Sequence, residues 1–172
     1  MKNRDRIFLV RHGIAEDSHA GGDEARALTE EGRTAFRKFA RDMADELRGE
    51  NRIIGIVTSP LVRAVQTAEI LADAVGITEV RTEMSLAADV ATPRSLTALA
   101  RKLGAGWAFV GHNPSFGNTV ATWLGLDPRT VSFRKGGLCA IALSPNGTPP
   151  HELVFMAAPG KKTITTVGDL TS

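Results

Sequence analysis

The feature that most constrains the fold is an alternation of short apolar runs with longer segments whose apolar residues recur every three to four positions. Short runs are typical of buried strands, and the longer period is typical of helices that bury one face. The predicted strands are 7–10, 53–57, a short one around Val80, 107–110, 138–143 and 153–157. Because strands that alternate with helices form parallel sheets covered on both faces, we expect an α/β fold. Its architecture would be a three-layer α/β/α sandwich with a mostly parallel central sheet and an antiparallel C-terminal hairpin.

Local signals indicate where the predicted helices begin and end. Thr29 precedes two glutamates, which is typical of a helix N-cap followed by acids that suit the helix dipole. Apolar residues continue at helical spacing as far as Leu47, so this helix is predicted to end at 49–52. Gly76 is expected to close a second helix, and Thr92 followed by proline begins a third.

The length and composition favour one domain spanning residues 1–172. The chain is 42% apolar and 23% charged, which is ordinary for a globular protein with one core. Tyr is absent, and no basic run is interleaved with aromatic residues, so a nucleic-acid partner is not expected. No apolar stretch approaches a membrane span, and the N-terminal apolar run is too short for a signal peptide. We therefore expect a cytoplasmic protein without a membrane partner.

Basic residues follow three of the predicted strands. Arg11-His12-Gly13 follows the first strand, a segment that includes Arg63 follows the second, and His112 follows the fourth. Ligands of open parallel sheets bind at the carboxyl ends of strands, so we expect the two histidines and two arginines to share one crevice. Four potential positive charges repel one another in such a cleft unless an anion joins them. A phosphoryl group fits, because the arginine fork matches its oxygens.

The tripeptide around His12 suits nucleophilic attack on phosphorus. A neutral imidazole can attack phosphorus and become a covalent phosphohistidine intermediate. Gly13 has no Cβ, so the backbone can turn tightly beside the ring. A local carbonyl could then hold one ring nitrogen and leave the other free to attack.

Five segments resemble the histidine phosphatase superfamily, the phosphoglycerate-mutase-like enzymes, and most of all its short, single-domain phosphohistidine phosphatase branch. Arg-His-Gly alone is a weak motif, but followed in order by SPxxRAxQTA and a later Gly-His it is highly specific. The segments are LVRHG at 9–13, ALTEEG at 27–32, TSPLVRAVQTAEIL at 58–71, VGHNPSF at 110–116 and FRKGGLCAIAL at 133–143.

The resemblance implies a role for each residue of the phosphate pocket. His12 would be the nucleophile that accepts the phosphoryl group, and water would then remove it. Arg11 and Arg63 would hold the phosphoryl oxygens, and His112 would stabilise charge that develops in the transition state. No metal or other cofactor is implied, because the basic cluster would do the work of a metal. The chain would thus be a metal-independent histidine phosphatase.

The resemblance leaves two candidates for the proton donor, Glu16 and Glu83. Relatives often carry an acid just after the third strand, and Ser85 stands where short relatives often carry Glu. A phosphoramidate nitrogen is a more basic leaving atom than an ester oxygen, so cleavage of a P–N bond needs less help from an acid. This departure from the family pattern favours phosphohistidine as the substrate.

The expected partner is a phosphorylated protein in a signalling pathway, with a histidine-phosphotransfer domain as one candidate. Few residues, 89–92, separate the third strand from its helix, so the site would be shallow enough for a side chain of another protein. A small phosphate ester, cleaved by the same mechanism, is the alternative. A non-catalytic phosphoprotein-binding module is a further alternative, although such a module would be expected to have lost His12 or His112.

Other polar residues near the N-terminus and Cys139 have simpler interpretations. Cys139 lies among apolar neighbours, so we expect a buried small residue rather than a reactive thiol. His12, Glu16, Asp17 and His19 lie close in sequence and could mimic a metal site, but their spacing matches no established ligand motif.

The remaining histidines and basic pairs are predicted to lie at the surface. His19 and His151 are expected to be exposed to solvent. Arg134-Lys135 and Lys161-Lys162 are expected to be solvated, with the guidance of an acidic partner protein as an alternative role.

Overall fold

Alternate residues of the first strand, β1 (Arg6–Arg11), face opposite sides of the sheet. In the computed structural model, which describes residues 5–171, Ile7 and Leu9 belong to one apolar core and Phe8 and Val10 to another. Helices cover both cores, so the sheet is the middle of three layers. The predicted α/β/α sandwich is confirmed.

The central sheet has six strands in the order β3-β2-β4-β1-β5-β6. Strand β2 runs parallel to β3 and β4, and β4 runs parallel to β1, whereas β5 is antiparallel to β1 and β6. The mostly parallel sheet with an antiparallel C-terminal hairpin is therefore also confirmed. The strands after β1 are β2 (Gly55–Thr58), β3 (Val80–Thr82), β4 (Trp107–Gly111), β5 (Leu138–Ala142) and β6 (Glu152–Ala157).

Helices on the two faces of the sheet bury different apolar sets. On one face Phe36 and Leu71 come from the first two helices, and on the other Leu96 and Trp123 come from the next two. The helices are α1 (Glu30–Met43), α2 (Val62–Val75), α3 (Pro93–Leu103), α4 (Ser115–Leu124) and the short α5 (Val167–Leu170).

The predicted caps are present at the helix ends. The hydroxyl of Thr29 accepts a hydrogen bond from the backbone N–H of Gly32, and that of Thr92 accepts one from Ser95. Such bonds satisfy donors that the first turn of a helix leaves unpaired. Gly76 ends α2 with a φ of 76°, in the left-handed region that glycine adopts without steric cost.

Two expectations from the apolar pattern are wrong in detail. Helix α1 ends at Met43, and Leu47 is buried from a following turn, because burial requires only that the side chain reach the core. Strand β2 begins at Gly55 and not at 53, and Gly55 lies against the Trp107 ring, where a Cβ would come within 2.4 Å of a ring carbon.

The expectation that His151 is exposed is also wrong. Its side chain is buried against Trp123, with the two ring centroids 6.0 Å apart. Its backbone N–H donates to the carbonyl of Trp123, and its Nδ1 accepts from the backbone N–H of Ser144 at 3.1 Å. His151 is thus part of the packing that joins α4 to the hairpin.

Within residues 5–171, none of the helices is both long and apolar enough to cross a membrane.

Candidate active site

The register of the sheet brings the ends of β1, β2 and β4 together. Arg11 pairs with Gly111, and Thr58 pairs with Val110, so the three strands end at the same level. The backbone N–H of His12 donates to the carbonyl of Gly111 at 3.0 Å, which continues the ladder beyond β1. The first residues after these strands therefore lie side by side at the carboxyl edge of the sheet.

His12 is a buried imidazole with one nitrogen held in place. Its Nδ1 lies 2.7 Å from the carbonyl oxygen of Gly13, so in the neutral ring Nδ1–H donates and Nε2 carries the free lone pair. The N–H of Gly13 in turn donates to the hydroxyl of Thr67 at 3.1 Å. Burial above all, and then the charges of Arg63 and Arg11, lower the pKa of His12 to about 4. At neutral pH the ring is therefore uncharged, which is the state that nucleophilic attack would require.

His112 lies beside His12, with the two ring centroids 5.2 Å apart. Its Nε2 is 2.8 Å from the hydroxyl of Ser59, and its buried Nδ1 has no hydrogen-bond partner among the described residues. Burial first, and then the neighbouring His12 and Arg63, lower the pKa of His112 to about 3. The negative charge of an anion placed between the two rings would oppose the effect of the neighbouring positive charges. It would therefore favour the protonated form of His112.

Arg63, at the start of α2, is 4% exposed and directs its guanidinium at Asp23. Its Nη1 donates to the backbone carbonyl of Asp23 at 2.8 Å, and its Nη2 lies 3.2 Å from the carboxylate. The buried Nε of Arg63 has no partner among residues 5–171. A nearly buried cation with an unused donor can bind a further anionic oxygen.

Arg11, the last residue of β1, is half-buried. Its Nη1 donates to the carbonyl of Phe133 at 2.8 Å, and its buried Nε lacks a partner in the described part of the chain. Its charge contributes to the lowered pKa of both His12 and His112. The charges of both arginines therefore act on the histidine pair.

Two residues that the sequence pattern did not single out join this cluster. Asp23 pairs with Arg26 at 2.8 Å as well as with Arg63, and these hydrogen bonds, Arg26 first, lower the pKa of Asp23. Arg26 also lowers the pKa of His12. Arg26 directly precedes the 27–32 segment that resembles the family, so one further residue of that segment would have identified it. No local signal distinguishes Asp23 from the other acids of its loop.

The two candidate proton donors lie in different places. Glu83 follows β3, and its carboxylate accepts from the backbone N–H and the hydroxyl of Ser85. The N–H of Glu83 donates to the carbonyl of Thr58, one residue before the Ser59 that contacts His112. Glu16 is half-buried, and its carboxylate lies 3.3 Å from the backbone nitrogen of Ala27.

The residues of the other candidate sites do not form a functional cluster in the described part of the chain. No three His, Cys, Asp or Glu side chains within residues 5–171 lie close enough to hold a metal ion, so His12, Glu16, Asp17 and His19 do not form a metal site. His19 is exposed and accepts a hydrogen bond from the backbone of its own loop. Cys139 is fully buried in β5, and this burial raises the pKa of its thiol.

Known structures share this arrangement of strands and helices. SixA of Agrobacterium tumefaciens, a candidate phosphohistidine phosphatase, has a TM-score of 0.76 and 23% identity, covering 91% of this chain and 99% of its own. The protein histidine phosphatase SixA in complex with tungstate has a TM-score of 0.75 and 24% identity, covering 90% of this chain and 97% of its own. A mycobacterial glucosyl-3-phosphoglycerate phosphatase has a TM-score of 0.64 and 19% identity, covering 84% of this chain and 92% of its own. This chain thus shares its fold with these proteins.

Sequence comparison identifies the family. Residues 7–87 match the histidine phosphatase superfamily (branch 1). An uncharacterised protein of Picosynechococcus sp. is 32% identical over 166 residues, which cover 89% of this chain and 96% of that protein. The chain belongs to the histidine phosphatase superfamily. This membership supports phosphatase activity on a phosphorylated substrate.

Proposed function

We propose that the chain, as a single domain spanning residues 1–172, hydrolyses phosphohistidine on a protein through a covalent phosphohistidine intermediate on His12. The observation that carries the proposal is the state of the His12 ring. Its Nδ1 is held by Gly13 and its Nε2 carries a free lone pair, while burial and two arginines keep the ring neutral. A neutral, oriented imidazole beside cations is what attack on a phosphoryl anion requires.

The reaction proceeds in two displacements. Nε2 of His12 attacks phosphorus, and the bond between phosphorus and the substrate nitrogen breaks as that nitrogen takes up a proton from solvent. Water then attacks the phosphoenzyme and gives up a proton to solvent, the bond between phosphorus and Nε2 breaks, and inorganic phosphate leaves with the His12 ring neutral again. Arg11, Arg63 and a protonated His112 stabilise the charge on the phosphoryl oxygens in both steps, without a metal.

An open site favours a protein substrate. Ten residues, 83–92, and not only the expected 89–92, lie between β3 and α3, and they include the exposed Met84 and Val90. This short connection leaves room for a phosphorylated side chain presented by another protein, such as a histidine-phosphotransfer domain. The tungstate-bound structure named as a protein histidine phosphatase, whose fold this chain shares, supports the same substrate class. The fold is equally shared with a sugar-phosphate phosphatase, so a small phosphate ester is the second candidate.

The basicity of the leaving atom determines how strongly hydrolysis depends on a general acid. If the substrate is a phosphoramidate, Glu83→Gln and Glu16→Gln should each leave its hydrolysis nearly unchanged and reduce only the cleavage of esters. Equal losses on both substrates, measured as kcat/KM, would instead make one of these glutamates a general donor.

The test compares phosphate release, in the presence of a chelator, from a phosphohistidine peptide and from a small aryl phosphate. Wild type, His12→Ala and His19→Ala are assayed together, because His19 is an exposed histidine outside the cluster. We expect a preference for phosphohistidine, loss of activity in His12→Ala and no loss in His19→Ala. Brief mixing followed by alkaline quench should trap an acid-labile phosphoenzyme in wild type and in His19→Ala, but not in His12→Ala.

Each other outcome contradicts a defined part of the proposal. A preference for the aryl ester would keep the mechanism and move the substrate to small molecules. Activity that survives in His12→Ala would exclude the covalent intermediate on His12. Binding of the phosphopeptide with turnover of neither substrate would indicate a non-catalytic binding module.

A further inference from the structure

We propose that the cleft beside Arg11 is a second anion subsite, which binds an anionic group of the substrate other than the phosphoryl group that is transferred. This inference rests on the proposed function, because it assigns the rest of the substrate to a place on the same enzyme. The cleft has a volume of about 770 Å³, a size typical of ligand sites. It adjoins the phosphoryl pocket, since Arg11 and Gly13, the two neighbours of His12, line it.

Basic side chains line the cleft, and its described lining contains no acidic side chain. Its described lining includes Arg11, Arg129, Arg134, Lys135 and Lys161 and no Asp or Glu. Arg129 is paired with a neighbouring aspartate outside the lining, but the other three exposed cations form no ion pair within residues 5–171. Cations of one sign that converge on a concave surface concentrate the potential there, so they attract an anion.

Backbone hydrogen bonds join the wall of the cleft to the phosphoryl pocket. The N–H of Gly136 lies 3.1 Å from the carbonyl of Arg11 and 2.9 Å from that of His12, and the N–H of Arg11 donates to Gly137 at 3.0 Å. Gly136 has a φ of 71°, which lets the chain turn back there after Lys135. The turn that carries two of the cations is therefore held at a constant distance from the nucleophile.

A single carbonyl adds to this rigidity. The oxygen of Phe133 accepts from Nη1 of Arg11 at 2.8 Å and from Nδ2 of Asn113 at 3.0 Å. It thus joins the end of β1, the residue after His112 and the wall of the cleft. Two charged regions held in this way pre-organise the protein for a ligand with two anionic groups.

The lining of the cleft also has an apolar part. Phe36, Phe133 and Ile14 contribute the apolar part. A ligand with carbon atoms between a phosphoryl group and a second anion matches this distribution. The second anion has two possible sources, a carboxylate that flanks phosphohistidine in a protein or a further phosphate on a small molecule.

The test uses a charge-matched pair of triple variants. The cleft variant combines Arg134→Gln, Lys135→Gln and Lys161→Gln. The control combines Lys38→Gln, Arg94→Gln and Lys102→Gln, which remove the same charge from exposed positions on α1 and α3 outside the cleft.

Each enzyme is assayed on two matched pairs of substrates. One pair is a phosphohistidine peptide with flanking Glu or with flanking Gln, and the other is an aryl bisphosphate or the corresponding monophosphate. We expect the cleft variant to lose about tenfold in the kcat/KM preference for the more anionic member of one pair, mainly through KM, whereas the control keeps it. The pair that loses its preference identifies the source of the second anion.

Results that would contradict the second subsite differ from results that would contradict the proposed function. If the preference in both pairs persists in the cleft variant, or falls equally in the control, there is no second subsite in this cleft. If wild type hydrolyses none of the substrates, the proposed function fails, and the subsite is then tested by binding alone. Fluorescence anisotropy of a labelled Glu-flanked peptide with a stable phosphohistidine analogue would show equal affinity for wild type and cleft variant if the inference is wrong.

Discussion

His12 and His112 share a buried site in which neither ring is charged at neutral pH. Burial lowers the pKa of His12 to about 4 and that of His112 to about 3, and the arginines add to both shifts. A neutral His12 suits attack, but a neutral His112 is a weak stabiliser of negative charge. The anionic substrate would supply the field that protonates His112 at the moment when its charge is useful.

Anion binding should therefore take up a proton. Sulfate, which does not itself titrate near pH 6, should bind with proton uptake because it raises the pKa of His112. Calorimetry in two buffers of different ionisation enthalpy measures the number of protons. The uptake should be absent in His112→Asn, and an observed enthalpy that is independent of the buffer in wild type would contradict this account.

The same histidines should make the fold sensitive to acid. The pKa of His12 is about 4 in the folded state against 6.5 in the unfolded chain, so the unfolded state binds more protons between these values. The contribution of His12 to the free energy of unfolding is therefore fully present above pH 6.5 and is lost as the pH falls towards 4. Between pH 7 and 4.5 the His12 contribution amounts to about 2 kcal/mol.

Denaturant unfolding at pH 7 and 4.5 checks this sign and size. His12→Asn, which cannot titrate in this range, should lose about 2 kcal/mol less than wild type over the same interval. His19→Asn, at an exposed position, should behave as wild type. Equal losses in wild type and His12→Asn would mean that His12 is protonated in the folded state.

Asp23 pairs with Arg63, which we propose holds the phosphoryl group, so Asp23 should compete with an anion for this guanidinium. Its carboxylate lies 3.2 Å from Arg63 and 2.8 Å from Arg26, yet its side chain is largely exposed. Asp23→Asn keeps the shape and removes the negative charge, so sulfate should bind about threefold more tightly. Titration calorimetry measures the affinity, with Asp17→Asn in the same loop as the control. Weaker binding by Asp23→Asn would show that Asp23 chiefly orients Arg63.

At the scale of elements, the position of α1 depends on Gly32. A Cβ at Gly32 would lie 2.1 Å from the carbonyl oxygen of Ile14, two residues after His12. Backbone atoms cannot rotate away, so the helix or the loop must move. The first turn of α1 is thus in direct contact with the loop that follows His12.

Gly32→Ala should therefore reduce both stability and activity. We expect a loss of about 1 to 3 kcal/mol in the free energy of unfolding, together with a lower kcat. Gly168→Ala is the control, because a Cβ there has no atom within 4 Å. Thermal and denaturant unfolding measure the first effect, and phosphate release measures the second. An unchanged Gly32→Ala would mean that the contact relaxes without cost.

Helix boundaries that carry a capping residue were predicted correctly, whereas the end of α1 and the burial of His151 were not. Thr29 and Thr92 were identifiable because a cap depends on residues within four positions of it. The end of α1 at Met43 was missed because Leu47 keeps the helical period while packing from a turn. His151 was missed because its burial depends on Trp123, which lies 28 positions earlier in the chain.

At the scale of the whole molecule, the two apolar cores share one sheet. Residues of β1 alternate between them, so neither core can form its full contacts without the central strand. We therefore expect residues 1–172 to unfold as one domain in a single cooperative transition. Far-UV circular dichroism and the fluorescence of the buried Trp123 should give coincident denaturant curves. Two separated transitions would contradict the single domain.

By itself, the sequence determined the layered α/β fold and the family, because periodicity, caps and ordered motifs are local signals along the chain. It also indicated that His12, Arg63 and His112 follow strand ends, and parallel strands align their ends. Only the tertiary structure decided that Asp23 holds Arg63 and that Arg11 reaches Phe133. Both contacts join residues far apart in sequence, 40 positions for the first and 122 for the second. Such contacts depend on how loops fold over the sheet edge, and no local pattern of residues specifies that.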